Sequence, residues 1–152
     1  MRRSDENMLQ NIKDLNMMEN EMKELIIPHE KVAHVQLGNP LEHALLVLIK
    51  SGYSAIPVLD SDYKLHGHIS KALILDSLLG LERIELERLN DRKVEEVMDK
   101  KIPWIHKDSN FQRALAMSIN HPFICVLDDD RSFVGILTRR SILALIHRYL
   151  KN

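Results

Sequence analysis

Apolar residues recur along this chain in two rhythms, one every three or four positions and one every second position, and the alternation of the two lays out the elements. Met18, Met22, Leu25 and Ile26 fall on one helical face between Met17 and Ile27, and Pro28 closes that helix. Residues 1–16 before it are polar and mixed in charge, so a flexible N-terminal segment or fraying helix is expected there. Lys31 to Val35 alternate like a short strand, and Gly38-Asn39-Pro40 reads as a turn opening a helix. Leu41, Ala44, Leu45, Val47 and Leu48 supply the buried face of that helix, and Gly52 ends it as a left-handed cap. Ser54 to Leu59 reads as a strand, Asp60-Ser61-Asp62 as a turn, and His66 to Ile69 as a second strand that runs through Ser70 into a helix from Lys71 to Leu79.

The same order then returns. Lys31 to Leu45 lines up without gaps on Lys101 to Leu115 at a shift of 70 residues. Ile56-Pro57-Val58-Leu59-Asp60 lines up on Ile124-Cys125-Val126-Leu127-Asp128, and Gly67 and Ser70 on Gly135 and Thr138, all at a shift of 68. The missing two residues fall where helix meets strand, at Gly52 in one copy and Asn120 in the other, both tolerant of positive φ. Several blocks in one order at nearly one offset identify an internal repeat of an α/β unit. Four segments follow: 1–16, a first repeat over 17–80, a linker helix over 81–92, and a second repeat over 93–150. In the linker, Glu and Arg alternate around Leu81, Ile84 and Leu89, which suits a solvated helix or one that docks a partner or second copy. Val94 to Met98 reads as a short helix leading into the second repeat.

Composition narrows the function classes. At 152 residues, 45% hydrophobic and 28% charged, the chain can bury the core of one domain or two small similar halves. A formal net charge of -1 argues against nucleic acid as the main partner, since a polyanion demands a basic excess. The single cysteine, Cys125, lies inside an apolar run and reads as a small core residue. No apolar run approaches the roughly 20 residues that cross a bilayer, and no apolar segment follows Met1-Arg2-Arg3, so a cytoplasmic location is expected. Met17, Met18, Met22 and Met98 read as adaptable core or dimer filler. His66-x-His68 with His34 or His43 invites a metal reading, but no cysteine or carboxylate stands at ligand spacing beside them, and no metal site is expected. Neither repeat carries a phosphate-binding glycine loop or a histidine near an evident nucleophile, so no enzymatic activity and no cofactor are expected.

One stretch carries chemistry. Phe133 to Leu137 is an apolar run that stops at Thr138-Arg139-Arg140, and Ser141 to Ile146 resumes at helical spacing. A hydroxyl at the N-cap position, two guanidiniums and the free N–H groups of a helix start favour an anionic oxygen. The alternative is a capped surface helix whose first turn carries two solvated arginines.

A lead helix with Val97-Met98, a strand reading Ser54-Ala55-Ile56-Pro57-Val58-Leu59-Asp60, and Gly135-Ile136-Leu137-Thr138-Arg139-Arg140 before a last helix together resemble a CBS domain. Two in tandem resemble a CBS pair, or Bateman module. The resemblance implies an α/β (α+β) fold with pseudo-twofold symmetry, homodimer formation, and clefts between the copies that bind adenine nucleotides. Carried over position by position, it implies one cleft built from Lys31 and Ala33, from Tyr53, Ser54 and Ala55, and from Thr138, Arg139 and Arg140. Small Ala33 and Ala55 leave room for a base, Tyr53 can cover it, Ser54 can bond a polar atom, and Lys31 with the two arginines can hold phosphate. A second cleft would combine Lys101, Pro103, His121, Pro122 and Phe123 with Ser70 and Lys71.

CBS pairs that bind AMP or ATP usually carry an Asp three residues after the Thr or Ser, where it accepts the ribose hydroxyls. Here that position is Ser141, and Leu73 in the other copy. A nucleotide with an esterified 3′ oxygen needs no such acceptor, so cyclic di-AMP fits better. The runs Lys31 to Gln36, Leu41 to Leu48 and Gly80 to Glu85 are similar to the cyclic-di-AMP-binding CBS protein B group of Gram-positive bacteria. That resemblance implies a non-enzymatic second-messenger regulator whose ligand-free form stimulates a Rel-type (p)ppGpp synthetase/hydrolase of the stringent response. The alternatives are a pair that senses AMP or ATP, and a structural dimer whose clefts bind nothing.

Overall fold

The computed structural model describes residues 2–151. In chain order the elements are α1 (Arg3–Glu24), β1 (Ile27–Pro28), a 3-10 turn (His29–Lys31), β2 (Val35–Gln36), α2 (Leu41–Ser51), β3 (Ala55–Leu59), β4 (Leu65–Ser70) and α3 (Lys71–Ser77). There follow the short helices α4 (Arg88–Asp91) and α5 (Val94–Val97), then β5 (Trp104–His106), α6 (Phe111–Ser118), β6 (Phe123–Leu127), β7 (Phe133–Thr138) and α7 (Arg139–Lys151). The repeat is explicit in the pairing. β2 runs parallel to β3, which pairs antiparallel with β4, and β5 runs parallel to β6, with β7 beyond it.

Two compact units emerge, and each draws on chain from outside its own repeat. One consists of residues 31–102 with 129–133. Its core is Val35, Leu41, Ala44, Leu48, Ile56, Val58, Ile69, Ile74, Leu78 and Val94. Val94 comes from α5, the helix expected to lead the second repeat, and Val97 and Met98 pack beside it. The other unit consists of residues 2–30, 103–128 and 134–151. Its core of Ile105, Phe111, Ala114, Ile124, Val126, Leu137, Ile142 and Leu145 is completed by Met22, with Leu15, Met18, Leu25 and Ile26 packed against it. The helix expected to lead the first repeat therefore packs on the core that holds β5, β6 and β7. The stripe on α1 was legible, but periodicity says nothing of which core receives it.

Two matched glycines make this exchange possible. β1 pairs antiparallel with β7, Ile27 opposite Ile136 and Pro28 opposite Gly135, and a Cβ at Gly135 would overlap the carbonyl oxygen of Ile27. In the other unit His68 bridges Asp99, and a Cβ at Gly67 would overlap the carbonyl oxygen of Asp99. Close backbone approach explains why both repeats hold glycine there.

Two expectations need correction. The strand expected over 31–35 is a 3-10 turn followed by the two-residue β2, because His29–Lys31 continue out of β1 before the chain reaches the sheet. The linker helix expected over 81–92 is confined to Arg88–Asp91. Residues 79–85 instead form a tight turn, closed by Gly80 N–H to Arg83 O at 2.8 Å and the Leu79–Ile84 bridge, and pinned by ion pairs of Arg83 with Glu87 and Arg88 with Glu85. Its leucines have no face to bury, Leu81 being fully exposed, so helical spacing had nothing to pay for it. Residues 3–16, where fraying or a mobile helix is expected, lie within α1.

Candidate functional site

The residues singled out for ligand binding fall at equivalent places in the two units. In the unit of residues 31–102, α2 ends at Gly52 in the left-handed conformation, φ 77°, with its N–H donating to Leu48 O at 3.0 Å. That cap turns the chain into Tyr53 and Ser54, both exposed, and then into Ala55 at the start of β3. Ala55 stands opposite Ser70 in register, and Ser54 O accepts from Lys71 N–H at 3.1 Å. Ser70 Oγ accepts from Leu73 N–H at 3.0 Å, capping α3. Tyr53, Ser54 and Ala55 are thus brought to the start of α3. Lys31 is exposed at the end of the 3-10 turn, and Ala33 is half-buried against this unit's core. His34 Nδ1 lies 3.0 Å from Val32 O, and its ring meets Tyr63 at 5.9 Å between centroids.

The second unit repeats the arrangement with different side chains. Pro122 O accepts from Arg139 N–H at 2.9 Å, the counterpart of Ser54 and Lys71. Thr138 takes the N-cap role: its Oγ1 accepts from Ser141 N–H at 3.1 Å and donates to Ser141 Oγ at 2.9 Å. The two adjacent arginines part company. Arg139 is half-buried, and its Nε donates to Ser118 O at 2.7 Å and its Nη2 to Ile119 O at 3.5 Å. Arg140 is exposed, and its side chain makes no hydrogen bond or ion pair among the described residues. Its guanidinium is free to meet an anion. Asn120, which tolerates a positive φ, does not adopt one, and α6 closes instead through Ile119 N–H to Ala116 O and Asn120 N–H to Met117 O, both 3.3 Å. Sequence reasoning missed the Arg139 contacts; the only signal for them was the two residues lost at that turn.

Electrostatics elsewhere are structural. Asp60 anchors the β3–β4 turn, with Oδ1 accepting from Asp62 N–H at 2.8 Å and Lys64 N–H at 3.0 Å and Oδ2 lying 2.8 Å from His66 Nε2. The His66 contact, then the Lys64 N–H, hold its carboxyl below the usual range. Arg83 holds Glu87 down to about 2. Cys125 is fully buried in β6, where desolvation pushes its thiol pKa up and keeps it an inert core residue. Among the described residues no three histidine, cysteine or carboxylate side chains gather as a metal group, and no helix is long and apolar enough to cross a membrane.

Two three-stranded repeats, each placing a strand end beside a hydroxyl-capped helix start, define a tandem module, and the chain belongs to the CBS domain family, whose pattern matches residues 22–80 and again 94–148. Among curated proteins it is 47% identical over 136 residues to the Cyclic di-AMP receptor B of Bacillus subtilis (strain 168), spanning 90% of this chain and 92% of that one. Among solved structures it resembles the Listeria monocytogenes CbpB protein in complex with c-di-AMP, at 56% identity and TM-score 0.81, covering 87% of this chain and 98% of that one. A CBS domain-containing protein of unknown function from Bacillus anthracis str. Ames Ancestor matches at 63% identity and TM-score 0.79, over 84% and 92% of the two chains.

Proposed function

We propose that this protein is a non-enzymatic regulator that binds cyclic di-AMP between its two CBS repeats. The observation that carries the reading is the start of α7, where a hydroxyl-capped helix presents the unpartnered guanidinium of Arg140 and where Ser141 stands in place of a carboxylate. A ligand with two phosphodiester charges is favoured at such a place, and a carboxylate would oppose it. A relative named as a cyclic di-AMP receptor and a similar structure holding c-di-AMP support the same ligand. The proposed site comprises Lys31, Ala33, Tyr53, Ser54, Ala55, Thr138, Arg139 and Arg140: the alanines admit the base, Tyr53 covers it, and Lys31, Thr138 and Arg140 meet phosphate. The regulator acts as a cytoplasmic homodimer, and ligand binding switches its contact with a Rel-type (p)ppGpp synthetase/hydrolase.

Calorimetric titration with cyclic di-AMP, AMP and ATP tests this. A charge-assisted bond to phosphate contributes about 1.5–3 kcal/mol, so Arg140→Ala should weaken cyclic di-AMP binding about 10- to 150-fold. Tighter binding of AMP than of cyclic di-AMP would replace the ligand, and no binding of any of the three by the folded protein would leave a structural dimer. A pull-down of the synthetase that is indifferent to cyclic di-AMP would remove the switch.

A further inference from the structure

The two repeats end their first helices differently, and the difference assigns separate work to two neighbouring cations. A helix leaves its last carbonyls without intrahelical partners. In α2 the left-handed Gly52 turns its N–H back onto Leu48 O, the usual solution. The second repeat is two residues shorter at this point and has no positive-φ residue there. The carbonyls of Ser118 and Ile119 instead receive Arg139 Nε and Nη2, at 2.7 and 3.5 Å, while the Arg139 N–H holds Pro122 O at 2.9 Å. One residue at the start of α7 thereby closes the turn between α6 and β6 from both ends. A guanidinium suits this place twice, because its planar fork spans two acceptors and because a helix C-terminus favours a cation. The counterpart in the first repeat, Lys71, makes only the backbone bond, to Ser54 O, and its ammonium has no partner among the described residues.

We propose that Arg139 is a positioning residue, a side-chain cap that replaces the missing left-handed residue and fixes the turn of residues 119–122, leaving Arg140 as the cation that meets the ligand's phosphate. The proposal rests on the ligand reading above for Arg140, whereas the cap stands without any ligand.

The experiment has two arms, both on the full chain. In the first, amide hydrogen exchange is followed without ligand in wild type, Arg139→Gln, Arg139→Lys and Arg140→Gln. Loss of a charge-assisted bond should speed exchange at Ile119 and Asn120 about tenfold or more in Arg139→Gln, less in Arg139→Lys, and not at all in Arg140→Gln. Wild-type protection in both Arg139 variants overturns the cap, and Arg139→Lys carries this arm if the glutamine variant does not fold. In the second arm, cyclic di-AMP is titrated at low and high salt. Arg140→Gln should weaken binding and flatten its salt dependence, because a charge facing phosphate has gone. Arg139→Gln should weaken binding severalfold with the wild-type salt dependence, an outcome that loss of a phosphate contact does not produce. Equal flattening in the two variants overturns the division of labour. No binding by wild type defeats the ligand reading and with it the role given to Arg140, while the first arm still decides the cap.

Discussion

Glycines 52 and 135 are constrained for different reasons, and the difference fixes what alanine does at each. At Gly52 a Cβ would meet nothing within 4 Å, so the cost is only that of a left-handed conformation, about 1–2 kcal/mol. At Gly135 the conformation is ordinary, but a Cβ would collide with the backbone of Ile27, and backbone cannot move aside as a flexible side-chain tip can. Gly135→Ala should cost about 1–3 kcal/mol or more, and hydrogen exchange should show the loss at the β1–β7 ladder, which Gly52→Ala should leave intact. Asp60 supplies a pH signature on the same scale. Its folded pKa lies below the ordinary carboxylate value, which is about 3.9. Its contribution is therefore present above that value and is lost as pH falls through the folded value. Asp60→Asn keeps an oxygen for the turn N–H groups but not the charge that faces His66. The difference in melting temperature between wild type and Asp60→Asn should stand at pH 6 and close below about pH 4; a difference constant with pH would refute the assignment.

Among the elements, α1 carries the clearest lesson. Its stripe of Met18, Met22, Leu25 and Ile26 was legible because helical spacing is a local property, as were the Pro40 start, the Gly52 cap and the N-cap at Thr138. Its destination was not legible. Both cores are apolar and of one design, so nothing in the stripe distinguishes them; the bare Cα of Gly135 lets β1 reach β7, but the matched Gly67 offers the same opening in the other repeat and does not mark the choice. The free Arg140 and the strand ends of the candidate site were likewise legible as motifs, whereas Arg139's commitment to α6 depends on how one turn closes in space. The exchange has a test. Met22 is 2% exposed, and Met22→Ala should cost about 2–5 kcal/mol, with faster exchange in β5, β6 and α7 and little change in β3 and β4. Val94→Ala should cost about 1.5–3 kcal/mol with the opposite pattern. Protection lost in β3 and β4 of the Met22 variant would mean that α1 serves its own repeat.

For the whole molecule, this exchange means that sequence repeats and folding units do not coincide. The chain passes from one unit to the other after Glu30, Ile102, Asp128 and Phe133. A cut in the exposed turn after Ile84 separates the repeats in sequence but divides both cores. Residues 1–84 then lack Val94, Val97 and Met98, and residues 85–152 lack Met22, Leu25 and Ile26. A small domain is stable by only about 5–15 kcal/mol, and removing an entire packed helix from each core takes away several buried side chains, each contributing about 1.5–3 kcal/mol. Neither fragment should fold cooperatively alone. Mixed at equal concentration, they should recover native circular dichroism and the wild-type fluorescence of Trp104, the only tryptophan, because each supplies the helix the other needs. The turn of residues 79–85 contributes no buried hydrophobic residue to either core, so the cut itself should cost little beyond the entropy of association. Cooperative unfolding of either fragment alone would show that each repeat is self-sufficient, and the two cores would then have to be redrawn along the sequence repeat.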